Sequence, residues 1–200
     1  MNKRSNGKMK YRMLSILGLV IFFGVWEAAV RLGWVSHRSL NAPSEVVETF
    51  IYKLTNANPD GSTLPQHFFQ SLKLALTSFI IATIIGVPLG WIMGYYKVAD
   101  FLLNPLFEII RPIPPIAWIP IVILTMGIGM SAKVFIIFVA AFVPNVINSY
   151  LGIRLTDATL INVAKTFGAS DWKIFTTVCI PSSMNMVFTG IRLSLNASWT

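Results

Sequence analysis

Between residues 74 and 96 the chain places 23 consecutive residues without one charged side chain. A helix of about twenty mostly apolar residues crosses the ~30 Å hydrocarbon core of a bilayer, and no soluble core needs such a run. The stretch is not alone. Residues 13–32 are apolar up to Glu27 and Arg31, and residues 134–153 are again free of charge. Residues 101–110 are apolar apart from Glu108, and after Arg111 and a proline-rich run the apolar character resumes over 116–126. A fifth stretch begins near Ser183 and is still apolar at Thr200. Hydrophobic residues make up 54% of the 200 and charged residues only 12%, against about a quarter charged in a soluble domain. The reading is an all-α integral membrane protein with about five spans.

The net charge of +8 invites a nucleic-acid reading, but its placement argues otherwise. Lys3, Arg4, Lys8, Lys10 and Arg12 cluster at the start, beside the first span. Such juxtamembrane clusters favour the cytoplasmic side and anionic headgroups. With the N-terminus inside, that side also collects Lys97, Arg154, Lys165 and Lys173. The outer side collects Arg31, Arg38, Lys53, Lys73 and Lys133. The bias supports an N-terminus in the cytoplasm, and no basic stripe interleaved with aromatics exists to bind nucleic acid. A basic start before an apolar run also resembles a signal peptide. No clear small-x-small cleavage site follows, so the segment reads as a retained first span.

This gives a provisional division of the chain. Residues 1–12 form a basic cytoplasmic start and 13–32 a first transmembrane helix. Residues 33–70 form an external segment with one short amphipathic helix, for which Ser44 is the expected cap, with Glu45 and Glu48 in its first turn. Residues 71–200 form the core, including a cytoplasmic loop over 154–181. Gly86, Gly90 and Gly94 recur every four residues in the second span, as in helices that approach closely in lipid. Pro88 lies among them and is expected to kink the helix. The single cysteine, Cys179, permits no internal disulfide and no cysteine-spaced metal site.

The most informative stretch is 162–181, NVAKTFGASDWKIFTTVCIP, amphipathic and flanked by two apolar spans. Ile161, Ala164 and Phe167 are expected on one helical face. Gly168 is expected to end that helix in a left-handed conformation. A second amphipathic piece over 171–178 leads to Ile180 and Pro181, and Pro181 is expected to open the next span. The stretch resembles the loop of bacterial ABC-importer permeases written E-A-A, three residues, G, nine residues, I-x-L-P. Asn162, Val163 and Ala164 occupy the opening positions, Gly168 the glycine, and Val178 to Pro181 the end. Ala169 follows the glycine. Asn162 stands where the family has an acidic residue, so docking through a charge there is lost.

The resemblance continues through 111–120 (RPIPPIAWIP), Gly127-Ile128-Gly129 with Ser131-Ala132-Lys133, and Thr189-Gly190-Ile191-Arg192 leading to Ala197-Ser198-Trp199. These runs are similar to those of the nitrate, sulfonate and taurine branch. The likeness implies a type I importer permease, with a sixth span expected beyond the five seen here, so that the chain reads as truncated. It implies a coupling helix in the 154–181 loop, docked on cytoplasmic ATPase subunits through Asn162, Val163, Ala164, Gly168, Ala169, Ile180 and Pro181. It also implies an external solute-binding protein, a second permease copy, and a small solute such as nitrate, a sulfonate or taurine. Related permeases serve thiamine precursors and other heterocycles.

Ionisable groups at membrane depth are functional suspects. Glu108 and Arg111, three apart, either pair with each other or leave Arg111 facing the solute. Arg192 lines the path or snorkels to the interface. Pro112, Pro114, Pro115 and Pro120 prevent regular helix, which is tolerated at that depth only inside protein or along a cavity. The run, with Trp118, is therefore the expected pathway lining. The chain contains no G-x-x-x-x-G-K-[ST] phosphate loop and no G-x-S-x-G or H-E-x-x-H motif. It is accordingly expected to bind no cofactor or metal itself and to leave ATP and Mg to the partner subunit. A transporter driven by an ion gradient would need midplane acids and internal repeats; Glu108 is the one candidate acid.

Overall fold

The computed structural model describes residues 3–36 and 40–200, with side chains from residue 9 onward. Arg38 and the side chains of Lys3, Arg4 and Lys8 lie outside the described residues. Every regular element among the described residues is helical. Two compact units divide the chain at Phe69 and Gln70.

The first unit holds α1 (Lys3–Arg31) and α2 (Pro43–Thr55). The helix of the first span starts well before residue 13, because lysine, arginine and methionine are good helix formers and carry the turn backwards through the basic cluster. α2 opens at Pro43, a residue suited to the first helical position. Its start is satisfied by Glu45, whose carboxylate accepts from the Ala42 N–H at 3.2 Å. Ser44 is therefore not the cap. It sits one residue inside the helix and turns to α1, donating from Oγ to Glu27 at 2.7 Å and from its N–H at 3.1 Å. Between α2 and the next helix, Asp60 gathers two partners. Lys53 donates to its carboxylate and to the Ser62 carbonyl at 2.9 Å, and His67 Nε2 lies 2.8 Å away. α3 (Leu64–Tyr95) then begins inside the stretch assigned to the external segment, with Gln66 capping the Thr63 N–H at 2.8 Å.

The second unit is built on α3, α6 (Met130–Arg154) and α9 (Ile180–Trp199). Glycines set the spacing. A methyl added at Gly90 would lie 2.5 Å from the Val146 carbonyl, and one at Gly94 2.8 Å from Ile153. On the other side of α6, Gly152 meets Ser183 at 2.8 Å and Gly190 meets Asn148 at the same distance. α6 is thus held between α3 and α9 at near-backbone contact, as small residues permit in lipid. Asn145, fully buried on α6, donates to Thr83 of α3 at 3.2 Å and to Ser194 of α9 at 2.9 Å. One amide therefore ties all three helices.

α4 (Lys97–Ile110) and the stretch formed by a 3-10 turn (Pro115–Trp118) and α5 (Ile119–Met126) meet at a bend of 88°. The bend falls on Arg111 to Pro114. Prolines bias the residues before them away from helix, and Pro114 itself is extended at φ −58°, ψ 139°. Pro88 is carried inside an unbroken α3. A core of Met93, Phe107 and Val146 joins α3, α4 and α6. Among the described residues, four helical stretches are long and apolar enough to cross a membrane: Met9–Arg31, Leu64–Tyr95, Met130–Arg154 and Asp171–Trp199. The bent pair makes a fifth if it counts as one span.

Candidate functional site

The loop singled out by its spacing sits where α3 and α6 end and α9 begins. After Arg154, Asp157 caps α7 (Ala158–Thr166) by accepting from the Thr159 N–H at 2.8 Å. That hydrogen bond holds the Asp157 carboxyl below its usual range. α7 closes with a left-handed residue. Gly168 has φ +76°; its N–H reaches the Lys165 carbonyl at 2.9 Å, and the Ala169 N–H reaches Ala164 at 3.1 Å. This paired pattern is the Schellman stop, and it favours glycine at the position it occupies. Ser170 then caps α8 (Asp171–Ile174), accepting from the Lys173 N–H at 3.4 Å.

The inner face of the loop rests on one cluster. Ile153, Ile174, Phe175 and Cys179 are buried, and Ile161, Ala164, Ala169, Val178 and Ile180 pack on them with Trp91 and Tyr95. Of the residues carried by the family motif, Ala164, Ala169 and Ile180 therefore share this inner face. Asn162, Val163, Gly168 and Pro181 are exposed. Phe167 does not lie with Ile161 and Ala164; it is 86% exposed. It is the residue at which α7 stops, so the helical phase that would turn it inward ends with it. The outer surface of the loop presents Leu160, Val163, Phe167 and Trp172.

Pro181 stands in the first turn of α9, as expected, but the chain does not leave the helix before it. Asp171 to Trp199 is one continuous helical run, interrupted only by a π turn over Phe175–Cys179 in which the Ile180 N–H bonds the Phe175 carbonyl. Pro181 lacks an N–H, and its ring would clash with the carbonyl four residues back in regular α geometry. The wider turn immediately before it removes that conflict.

Two further contacts fasten the loop, and sequence reasoning missed both. The Tyr95 hydroxyl, at the end of α3, donates to the Asp171 carbonyl at 2.9 Å. The Tyr95 ring lies 4.9 Å from that of Phe175. At the other end of the loop, the Tyr150 hydroxyl donates to Asp100 of α4 at 3.3 Å, and Arg154 approaches the same oxygen at 4.0 Å. No local signal pairs residues 76 or 50 positions apart.

The candidate pathway residues are not gathered into one place. Glu108 and Arg111 pair at 3.1 Å, each about half exposed. They line a cavity of about 210 Å³ with Met93, Asn104, Val146 and Tyr150. Pro115 lines a different cavity of about 600 Å³, with Ile116, Ile119, Ala75, Ile136 and Ser198. Trp118 packs edge-on against Phe135 at 6.5 Å, and its indole nitrogen is buried without a partner among the described residues. Pro112, Pro114 and Pro120 are exposed. Arg192 is exposed on α9 and lines neither cavity.

Together, the apolar helices of membrane length and the small-residue seam define an all-helical, multi-pass membrane protein with a capped loop between two of its spans. Residues 86–200 match the family model described as the binding-protein-dependent transport system inner membrane component. The chain is 34% identical over 194 residues to a probable ABC transporter permease of Brucella melitensis, covering 97% of this chain and 76% of that one. It is 31% identical to the taurine transport system permease protein TauC of Escherichia coli K12, over 94% of this chain and 68% of that one. A bicarbonate transport system permease protein, CmpB of Synechococcus elongatus, is 29% identical over 98% of this chain and 74% of its own length. The chain belongs to the inner-membrane component family of binding-protein-dependent ABC transporters, in the branch that contains taurine, bicarbonate and nitrate permeases.

Proposed function

We propose that the chain is the subunit through which an ATP-driven importer passes a small anion, of the taurine, bicarbonate or nitrate kind, into the cytoplasm. In this reading it works as a pair of identical copies, receives solute from an external binding protein and docks two cytoplasmic ATPase subunits. ATP and Mg stay on those subunits. The N-terminus lies in the cytoplasm, which puts α7 and α8 on the same side.

The observation that carries the reading is the two-faced loop. Its inner face is seated on the ends of α3, α6 and α9 through one buried cluster, and its outer face offers Val163, Phe167 and Trp172 to a partner. A short helix with one apolar face outward suits a groove on another protein. Because the inner face is seated on three helices, a displacement of α7 is delivered to the seam that packs them. Family resemblance gives Asn162, Val163, Ala164, Gly168, Ala169, Ile180 and Pro181 this role. The solute class is supported by the names of the relatives; Arg111 lies beside a cavity but is paired there with Glu108, and Pro115 of the bent segment lines another cavity.

The test is Gly168→Val in the assembled transporter reconstituted in vesicles. A β-branched residue in the left-handed region costs on the order of 1–2 kcal/mol, which deforms the stop without touching the seam. Uptake of radiolabelled solute falls about tenfold or more while ATP hydrolysis by the partner continues. Normal uptake by this variant ends the lever role.

A further inference from the structure

We propose that α2 is an in-plane membrane anchor, with its apolar face set in the boundary between headgroups and acyl chains of the leaflet where α1 ends. The proposal rests on α1 spanning the bilayer and is independent of the coupling role given to α7.

At 100° per residue, Val46, Val47, Phe50, Ile51 and Leu54 fall within an arc of about 140° on α2. Ser44, Glu45, Glu48, Thr49, Tyr52 and Thr55 occupy the opposite arc. No residue of α2 is buried, and Phe50 and Ile51 are 55% and 60% exposed. A helix so sharply divided requires an apolar surface on one side and water on the other.

Its attachment to α1 tells which surface that is. Ser44, in the first turn of α2, is bonded twice to Glu27, and Arg31 reaches both Glu27 at 2.5 Å and Ser44 at 3.2 Å. Glu27 and Arg31 form the last turn of a membrane-length run, Met9–Arg31, whose most apolar 18 residues have a mean hydropathy of 2.1. The first charged turn after such a run marks the edge of the hydrocarbon, so α2 starts at that depth. Its 13 residues extend about 20 Å, too short to cross the ~30 Å core, which leaves the interface plane. Trp34, 78% exposed, follows the same end of α1, and tryptophan is enriched at this level.

The chemistry of the face selects lipid of any headgroup. α2 carries Glu45 and Glu48 on its polar side. Its one cation, Lys53, is already engaged by Asp60. Attachment therefore comes from apolar burial and not from attraction to anionic headgroups.

The experiment is a cysteine scan of residues 45–54 in the whole transporter, reconstituted in phosphatidylcholine nanodiscs and spin-labelled one site at a time. The native Cys179 is fully buried and stays unlabelled. Collisions with molecular oxygen, which concentrates in lipid, are expected to be high and collisions with a water-soluble nickel chelate low at Val46, Val47, Phe50, Ile51 and Leu54. The order reverses at Glu45, Glu48, Thr49 and Tyr52. Where a label at Phe50 disturbs folding, Val47 and Leu54 report on the same face. Added phosphatidylglycerol leaves the pattern unchanged. Free access of nickel at every position puts α2 in water and overturns the proposal. So does shielding of the apolar face from both reagents, which means that a second copy or another protein covers it. A pattern that appears only with the anionic lipid overturns the apolar basis.

Discussion

The seam of α3, α6 and α9 and the loop of α7 and α8 both depend on glycine, for opposite reasons. In the seam the backbone is ordinary helix and the neighbours are too close: an added methyl at Gly90 meets a carbonyl at 2.5 Å. In the loop the surroundings are open, with nothing within 4 Å of a methyl at Gly168, and the backbone is the constraint, at φ +76°. One glycine is required by what surrounds it, the other by its own dihedral. Damage to the first should destroy the packed unit. Damage to the second should leave the unit standing and spoil what it transmits.

The sharpest way to break this comparison is Gly90→Leu. Overfilling a packed contact costs about 1–3 kcal/mol or more, and here the obstacle is backbone that cannot rotate away. The variant is expected to be lost from the monodisperse peak on size-exclusion chromatography in detergent, whereas Gly168→Leu gives the wild-type profile. Next in size is the contrast at the loop itself. Gly168→Asn should keep most of the uptake that Gly168→Val loses, because asparagine visits the left-handed region more readily than other side chains. Equal loss in both variants, measured as transport per ATP hydrolysed, would transfer the requirement from dihedral to size.

Asn145→Leu should act on the seam with an intermediate effect. It removes the amide that Thr83 and Ser194 share, at about 0.6 kcal/mol per interhelical bond on average in membranes. A lower thermal midpoint with transport preserved below it is the expected outcome. Tyr95→Phe keeps the ring against Phe175 and deletes only the bond to the Asp171 carbonyl. A modest fall in transport per ATP, with unchanged thermal midpoint, would show that the loop and α3 communicate through that hydroxyl.

The smallest effect lies in the first unit. Lys53 and His67 hold the Asp60 carboxyl down from 3.8 to about 2. A depressed carboxylate contributes stability above its unfolded value, and that contribution is lost as pH falls through the folded value. The 56–63 loop should therefore resist pepsin at about pH 4 and open as the pH approaches about 2. Asp60→Asn should be cut equally at both.

Much of the fold was legible in sequence because membrane-length apolarity needs no tertiary information. The break at Arg111 to Pro114 was announced by proline, and the stop at Gly168 by glycine spacing. Two local readings failed where a distant partner or a neighbouring constraint prevailed. Ser44 turned from capping α2 to Glu27, seventeen residues away. Phe167 stayed outside because its helix ended there. Pro181 took its expected place in the first turn of α9, although the π turn before it keeps the helix continuous. The polar tie at Asn145 and the fastening of Tyr95 to Asp171 left no trace in local pattern, since each joins helices far apart in the chain. The pairing of Glu108 with Arg111 was one of the two outcomes their spacing allowed, but the separation of that pair from Pro115 and Arg192 was invisible, because depth and facing come from packing rather than residue type.

The π turn over Phe175–Cys179 has a consequence of phase. A turn that closes one residue late puts the helix on its N-terminal side about 100° out of step with the helix on its C-terminal side. Trp172 and α9 therefore keep separate angular registers along one rod. Straightening this turn into regular α-helix with no residue removed would rotate the whole outward face of α8 by about a quarter turn away from any partner, whereas deleting a single residue from 175–179 would remove the bulge and leave both faces where they are.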